Sequence, residues 1–195
     1  MIEFYNTLSR KKEKFKPLKK DSVGIYSCGP TVYWYAHIGN FRTYIFSDLL
    51  KRMLVYNDYK VKHVMNITDV DDKTIKGSVG ENTPLKDFTR KYEKIFFEDL
   101  NKINIIKPEI LRATDNIKEM ISLIKKLLEK KYAYKSDDGI YFSISKSNGY
   151  GKLAQLKKIK DSKERIRNDE YDKNNLHDFA LWKFYSKEDG DVFWN

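Results

Sequence analysis

The sequence predicts an α/β fold built around a parallel sheet, on three observations. A compact apolar run, "SVGIYSC", reads as a strand that ends at Cys28, where a Gly-Pro-Thr turn follows. From Phe41 the apolar residues Phe41, Ile45, Phe46, Leu49, Leu50, Met53 and Leu54 recur at helical spacing. Residues 59–68, "YKVKHVMNIT", then read as a second buried strand, bounded by Asn57 and Asp58 before it and by the acidic "DVDDK" after it. Strand, helix, strand is a βαβ unit, which implies a parallel sheet with a right-handed crossover. Ligands of such sheets bind beyond the carboxyl ends of the strands, and Cys28 and Thr68 are the residues at those ends.

The other elements follow in chain order. Ile2–Tyr5 is strand-like and leads into a basic stretch, "SRKKEKFKPLKKD". The spacing predicts the first helix over 40–56, with Asn40 as its N-cap. Pro84 to Asn104 is amphipathic through Phe88, Tyr92, Ile95, Phe96 and Ile103, and a further helix runs over 115–131, with Ile117, Met120, Ile121, Ile124, Leu127 and Leu128 on one side. "YAYKSDDGIYFSIS" reads as a hairpin around Asp138 and Gly139. Residues 146–176 are polar and basic, hence loop or a mobile insertion, before "HDFALWKFY" returns as a short apolar strand. No internal repeat is present. The order divides the chain into the first half of a catalytic domain (1–80), a helical and hairpin insertion (81–175) and a return to the first domain (176–195).

With 195 residues the chain can bury a sizeable core. No apolar run approaches the roughly 20 residues of a membrane span, and the start lacks a signal-peptide core, so a cytoplasmic protein without a membrane partner is expected. The formal charge of +10, from 38 Lys and Arg against 28 Asp and Glu, suits polyanionic partners. The same richness in Lys, Ile, Asn and Tyr also follows from A/T-rich coding, so charge alone does not discriminate. The single cysteine excludes an intramolecular disulfide and leaves Cys28 as a buried small hydrophobe, a nucleophile or a metal ligand.

The chemistry concentrates at the turn between the first predicted buried strand and the first helix. A helix N-terminus carries unpaired N–H groups and the positive end of the macrodipole, a ready anion site. Gly39 lets a phosphate approach the backbone, and His37 can supply a donor or a positive charge beside it. Pro30 and Thr31 lie in the same turn. Tyr33, Trp34 and Tyr35 read as aromatics that pack the turn, and the acids of residues 69–72 as a solvated cluster at a helix start.

"YSCGPTVYWYAHIGNFRTYIFSDLL" followed by "MNITDVDDKTI" resembles the N-terminal catalytic half of the cysteinyl-tRNA synthetases, class I enzymes with a Rossmann-like fold. "FYNTLSRKKEKFKP" near the start, "RAT" at 112–114 and "DFALWK" at 178–183 occur in matching order. The resemblance implies that His37-Ile38-Gly39-Asn40 stands where the class signature, usually His-Ile-Gly-His, binds ATP and steadies the α-phosphate as pyrophosphate leaves. Pro30, Thr31, His37, Gly39 and Asn40 form the implied ATP-binding set, with His37 and Asn40 as its catalytic pair. Asn40 departs from the usual histidine; it can donate a hydrogen bond but cannot become a cation. Cys28 matches the first ligand of a substrate-reading zinc site, and Gly29 and Thr68 match positions lining the cysteine pocket. For Thr68 the alternative is a strand-end hydroxyl bonded to its own backbone. Zinc would do here what a hydrophobic pocket cannot, since one small side-chain change is worth only about 1–3 kcal/mol in such a pocket, whereas zinc prefers a thiolate to a hydroxyl.

The implied activity is ATP-dependent activation of L-cysteine and its transfer to the 3′ end of tRNA(Cys), with ATP entering as its Mg2+ complex and a monomer as the expected state. In the family the other zinc ligands lie in and beyond a Gly-Trp-His-Ile-Glu-Cys segment, and a Lys-Met-Ser-Lys-Ser loop assists adenylation; neither occurs here. The chain is therefore expected to be the N-terminal portion of a longer enzyme, inactive by itself. Two alternatives stand beside this reading: a cysteine ligase acting on an amino sugar, as in mycothiol synthesis, and a tRNA- or nucleotide-binding module that has lost catalysis.

Overall fold

A computed structural model describes residues 2–153 and 178–194. The region expected to be loop or insertion lies largely outside the described residues, as does His177. The chain divides into two compact units, one of Met1–Lys16 with Glu119–Phe184 and the other of Pro17–Lys118 with Tyr185–Asn195.

The second unit holds the predicted parallel sheet. Strand β3 (Ser22–Ser27) pairs with β4 (Lys60–Ile67) in parallel, from Ser22 opposite Lys60 to Ser27 opposite Met65. Helix α1 (Ile38–Tyr56) connects them. A third parallel strand, β5 (Glu109–Arg112), extends the order to β3-β4-β5. It escapes the sequence patterns because "EILR" is too short to show a period and its pairing with β4 is set by residues more than forty positions away. Between β4 and β5 lie α2 (Asp72–Gly80) and α3 (Leu85–Lys102).

α3 presents Phe88, Tyr92, Phe96 and Leu100, a strict four-residue repeat, to Val32, Tyr44, Met65 and Ile67. Each of these side chains is at most 4 % exposed, and burying each contributes about 1.5–3 kcal/mol. α2 has little apolar content of its own; Gly77 lets the Phe88 ring lie directly against its backbone. Glu93, buried on α3, accepts a bidentate pair from Arg112 (Nε to Oε2, 2.9 Å; Nη2 to Oε1, 2.6 Å) and one bond from Arg90 (2.7 Å).

The first unit holds an antiparallel pair, β1 (Glu3–Asn6) with β2 (Lys11–Lys14), and an antiparallel sheet of β6 (Ala133–Lys135), β7 (Gly139–Phe142) and β8 (Phe179–Lys183), in that order. β2 reads only as a basic stretch because all four of its residues are exposed, leaving no alternation to detect. The predicted hairpin is β6-β7, and the strand in "HDFALWKFY" is β8, which pairs with β7. Helix α4 (Ile117–Glu129) begins at the border of the two units. Among the described residues no helix is long and apolar enough to cross a membrane.

Candidate functional site at the ends of β3 and β4

The contact between β3 and β4 continues past both strands. Thr68 N–H donates to the Pro30 carbonyl (3.0 Å) and Val32 N–H to the Thr68 carbonyl (3.1 Å), so Thr31 and Thr68 face each other as an isolated parallel bridge. The structure thus brings Cys28, Gly29, Pro30 and Thr31 against Thr68. Gly29 is required by proximity: a Cβ there would overlap the Asn66 carbonyl oxygen and stand 2.9 Å from Met65 Cγ.

The sequence patterns miss Asn66, which binds the two strand ends together. Its Oδ1 accepts from Gly29 N–H and Tyr26 O–H, both at 3.0 Å, and its Nδ2 donates to Thr68 Oγ1 at 3.2 Å. The Thr68 hydroxyl is therefore bonded to a side chain and not to its own backbone. An Asn inside an apolar strand is the signal that could have found it, because a strand amide needs partners.

Cys28 is exposed, with Sγ 3.6 Å from the Gly29 carbonyl. Burial, with a smaller contribution from the Cys28 charge, pushes the phenol of Tyr44 up to about 12, so it stays protonated beside the thiol. Among the described residues no group of three or more His, Cys, Asp or Glu is placed to hold a metal. Cys28 suits zinc by its chemistry, but it stands in no such group of three.

Five residues separate Thr31 from His37. Val32 is buried, while Trp34 and Tyr35 pack on each other and on Tyr92, with ring centroids 5.4–5.9 Å apart. Lys73 Nζ lies 5.2 Å from the centre of the Tyr33 ring. Trp34 and Tyr35 nevertheless stay 62% and 54% exposed, so the aromatics expected to pack the turn are only partly packed.

At the start of α1 the N-cap is His37 and not Asn40, which corrects the predicted cap by one turn. Gly39 N–H donates to His37 Nδ1 (3.1 Å), and His37 N–H donates to Asn40 Oδ1 (3.0 Å), a reciprocal capping box. Because a backbone N–H can only donate, Nδ1 must be the acceptor, and the neutral ring carries its proton on Nε2. Gly39 has a further reason to be glycine: a Cβ would come within 2.9 Å of His37 Cε1. Its N–H is already used by the cap, so the outward donors here are His37 Nε2–H and the Asn40 amide nitrogen.

The acids after Thr68 divide in role. Asp69 is not solvated as expected; it is buried and accepts from Thr114 N–H (2.9 Å) and the Thr114 hydroxyl (2.5 Å), tying the end of β4 to the end of β5. Asp71 caps α2 through Lys73 N–H (2.7 Å) and Asp72 lies in its first turn. A cavity of about 800 Å³ opens beyond these strand ends, lined among others by Asp69, Lys86, Arg90, Thr114 and Trp194. None of the predicted site residues lines it.

Comparison with known proteins shows the family of the chain. The family model for the class I (C) tRNA synthetase catalytic domain matches residues 14–195. A cysteine–tRNA ligase of Brachyspira hyodysenteriae is 54% identical over the whole of this chain, and one of Protochlamydia amoebophila is 48% identical over 99% of it. The chain spans 42% of the length of each. A solved LeuRS–tRNA–LeuAMS ternary complex from Agrobacterium radiobacter K84 matches in fold, with a TM-score of 0.52 at 20% identity over 62% of this chain and 16% of that one. With the family match covering nearly all of its length, the chain belongs to the class I tRNA synthetases, as part of their (C) catalytic domain.

Proposed function

We propose that this chain supplies the ATP- and cysteine-binding half of a cysteine–tRNA ligase. The observation that carries the proposal is the strand-end assembly, in which the Cys28–Thr31 turn is bonded to Thr68 and runs directly into the His37 cap of α1. Relatives about half identical over this entire stretch, named cysteine–tRNA ligase, support it. In the proposed reaction the cysteine carboxylate attacks the α-phosphorus of ATP, and the bond to the bridging oxygen breaks as pyrophosphate leaves. The acyl group then passes to the terminal ribose hydroxyl of tRNA(Cys), releasing AMP.

This chain's residues act by position and field, without a protein nucleophile. His37 Nε2–H and the Asn40 amide nitrogen donate toward the phosphates at the positive end of α1. Gly39 keeps the His37 ring seated, and Pro30 and Thr31 hold the turn against β4. Gly29 and Thr68 line the amino-acid pocket. Cys28 would be one ligand of a thiol-reading zinc, which when bound would favour a thiolate over a hydroxyl. The described residues hold no group of three that would complete its coordination. Mg2+ would arrive with ATP. Of the insertion expected over 81–175, α3 and β5 pack with the parallel sheet, so the insertion is read as starting after Lys118.

The test is ATP–pyrophosphate exchange by the protein that carries this chain, with zinc present. Cysteine is expected to stimulate exchange and serine is not. Exchange indifferent to cysteine overturns the proposal, and cysteine-dependent exchange without tRNA charging transfers it to an amino-sugar acceptor.

A further inference from the structure

We propose that Asn66 is a positioning residue for the cysteine site, acting through Gly29 and Thr68; the role rests on the function proposed above. Its orientation follows from its partners. The Gly29 N–H and the Tyr26 O–H both meet one atom of the Asn66 amide at 3.0 Å. The Gly29 N–H is an obligatory donor, so that atom must be Oδ1, and the nitrogen is left to face Thr68 Oγ1 at 3.2 Å. A flipped amide would set two donors against each other.

Two consequences reach the site. The turn that carries Cys28 and Gly29 is tied to β4 by a side chain as well as by the backbone bonds around Thr31. The Thr68 hydroxyl, with a lone pair engaged by Asn66, keeps its own proton for an outside acceptor, and no described group takes it. Asn66 thereby makes Thr68 a donor toward the pocket, suited to a ligand atom carrying negative charge or a lone pair. Among side chains of this length, only Asn can accept from Gly29 and donate to Thr68 at once. Asp of the same shape would accept from Gly29 but would also draw in the Thr68 proton, reversing the hydroxyl.

The pair N66D and N66A separates these jobs, read against T68A and the double variant N66D/T68A. In cysteine-dependent exchange by the protein carrying this chain, N66D should raise KM for cysteine about tenfold, the worth of one hydrogen bond, while KM for ATP stays within about twofold. N66D/T68A should match T68A within about twofold, since the Asn66 effect passes through Thr68. Amide hydrogen exchange reads the other job without activity: Gly29 protection should survive in N66D and fall about tenfold or more in N66A. Wild-type KM for cysteine in N66D, a parallel rise in KM for ATP, or effects of N66D and T68A that multiply would overturn the role. If the unaltered protein shows no cysteine-dependent exchange, the proposed function fails separately. Unchanged Gly29 protection in N66A would then show that Asn66 does not hold the strand ends.

Discussion

Gly29→Ala is the sharpest test of how the site is built. A Cβ at this position overlaps the Asn66 carbonyl oxygen, lies 2.9 Å from Met65 Cγ and 3.0 Å from the Asn66 carbonyl carbon. Carbon atoms rest about 3.5–4.0 Å apart, so the Met65 contact alone demands a shift of more than about half an ångström. The methionine could bend away; the Asn66 carbonyl is backbone inside a paired strand and cannot. Overpacking of this kind typically costs about 1–3 kcal/mol. The displaced turn also strains the bonds from Gly29 N–H to Asn66 and from Thr68 N–H to Pro30, each worth about 1 kcal/mol. The sum is about 3–5 kcal/mol, or about 6–20 °C in Tm for a chain of this size. Gly24, five residues earlier in β3, is the internal control, because a Cβ there meets nothing within 4 Å. Gly24→Ala should be neutral or stabilise by about 0.4–1 kcal/mol through the unfolded chain. Urea unfolding followed by circular dichroism reads both. A Gly29→Ala variant within about 0.5 kcal/mol of the unaltered protein would refute the claim that close backbone approach dictates this glycine.

Three further outcomes are expected. His37→Ala removes the side-chain cap and the outward Nε2–H together, so it should lower stability by about 1 kcal/mol and raise KM for ATP in pyrophosphate exchange at least tenfold; a wild-type KM would remove His37 from the nucleotide site. Burial, aided by Lys51, holds the His63 imidazole below its ordinary value, so the unfolded state takes up protons first: stability should be full above the unfolded value of about 6.5 and fall as pH drops below it. His63→Gln should flatten that dependence between pH 7 and 5 in urea midpoints, and an unchanged slope would assign the loss to other groups. Arg112→Ala should destabilise by about 2–3 kcal/mol, more than Arg90→Ala, because it takes two bonds from buried Glu93 against one; equal losses in urea unfolding would contradict the bidentate geometry.

The legible parts of the fold are those whose neighbours along the chain explain them. α3 announces itself by period, since it buries one face through residues spaced for it, and β3 and β4 by their apolar runs. α1 is found by the same helical spacing, yet Ile45, Phe46 and Leu49 of its apolar stripe are exposed and its buried residues are Tyr44, Ser47, Asp48 and Leu54. β5 and Asp69 do not announce themselves, because their partners lie far along the chain: β5 is a strand by virtue of β4, and Asp69 is buried by virtue of Thr114. The acid cluster after Thr68 shows the difference in one line of sequence. Asp71 and Asp72 behave as local charge at a helix start, whereas Asp69, two residues earlier, is a buried acceptor that nothing local marks. Asn66 belongs with Asp69. Its type is conspicuous in an apolar strand, but its partners Tyr26 and Gly29 become visible only when β3 is laid beside β4.

The Asn40 substitution in the His-Ile-Gly-His pattern gains a physical explanation from the cap. A histidine there would have to accept from His37 N–H through a ring nitrogen, and charging the ring would cost that bond. Asn40 accepts through Oδ1 and still holds Nδ2 outward as a donor, at any pH. Its neighbour is oriented by the same capping box, since the Gly39 N–H donates to His37 Nδ1. The cap thus uses the inner atoms of both side chains, Nδ1 of His37 and Oδ1 of Asn40, and leaves His37 Nε2 and Asn40 Nδ2 as the donors at the positive end of the helix dipole.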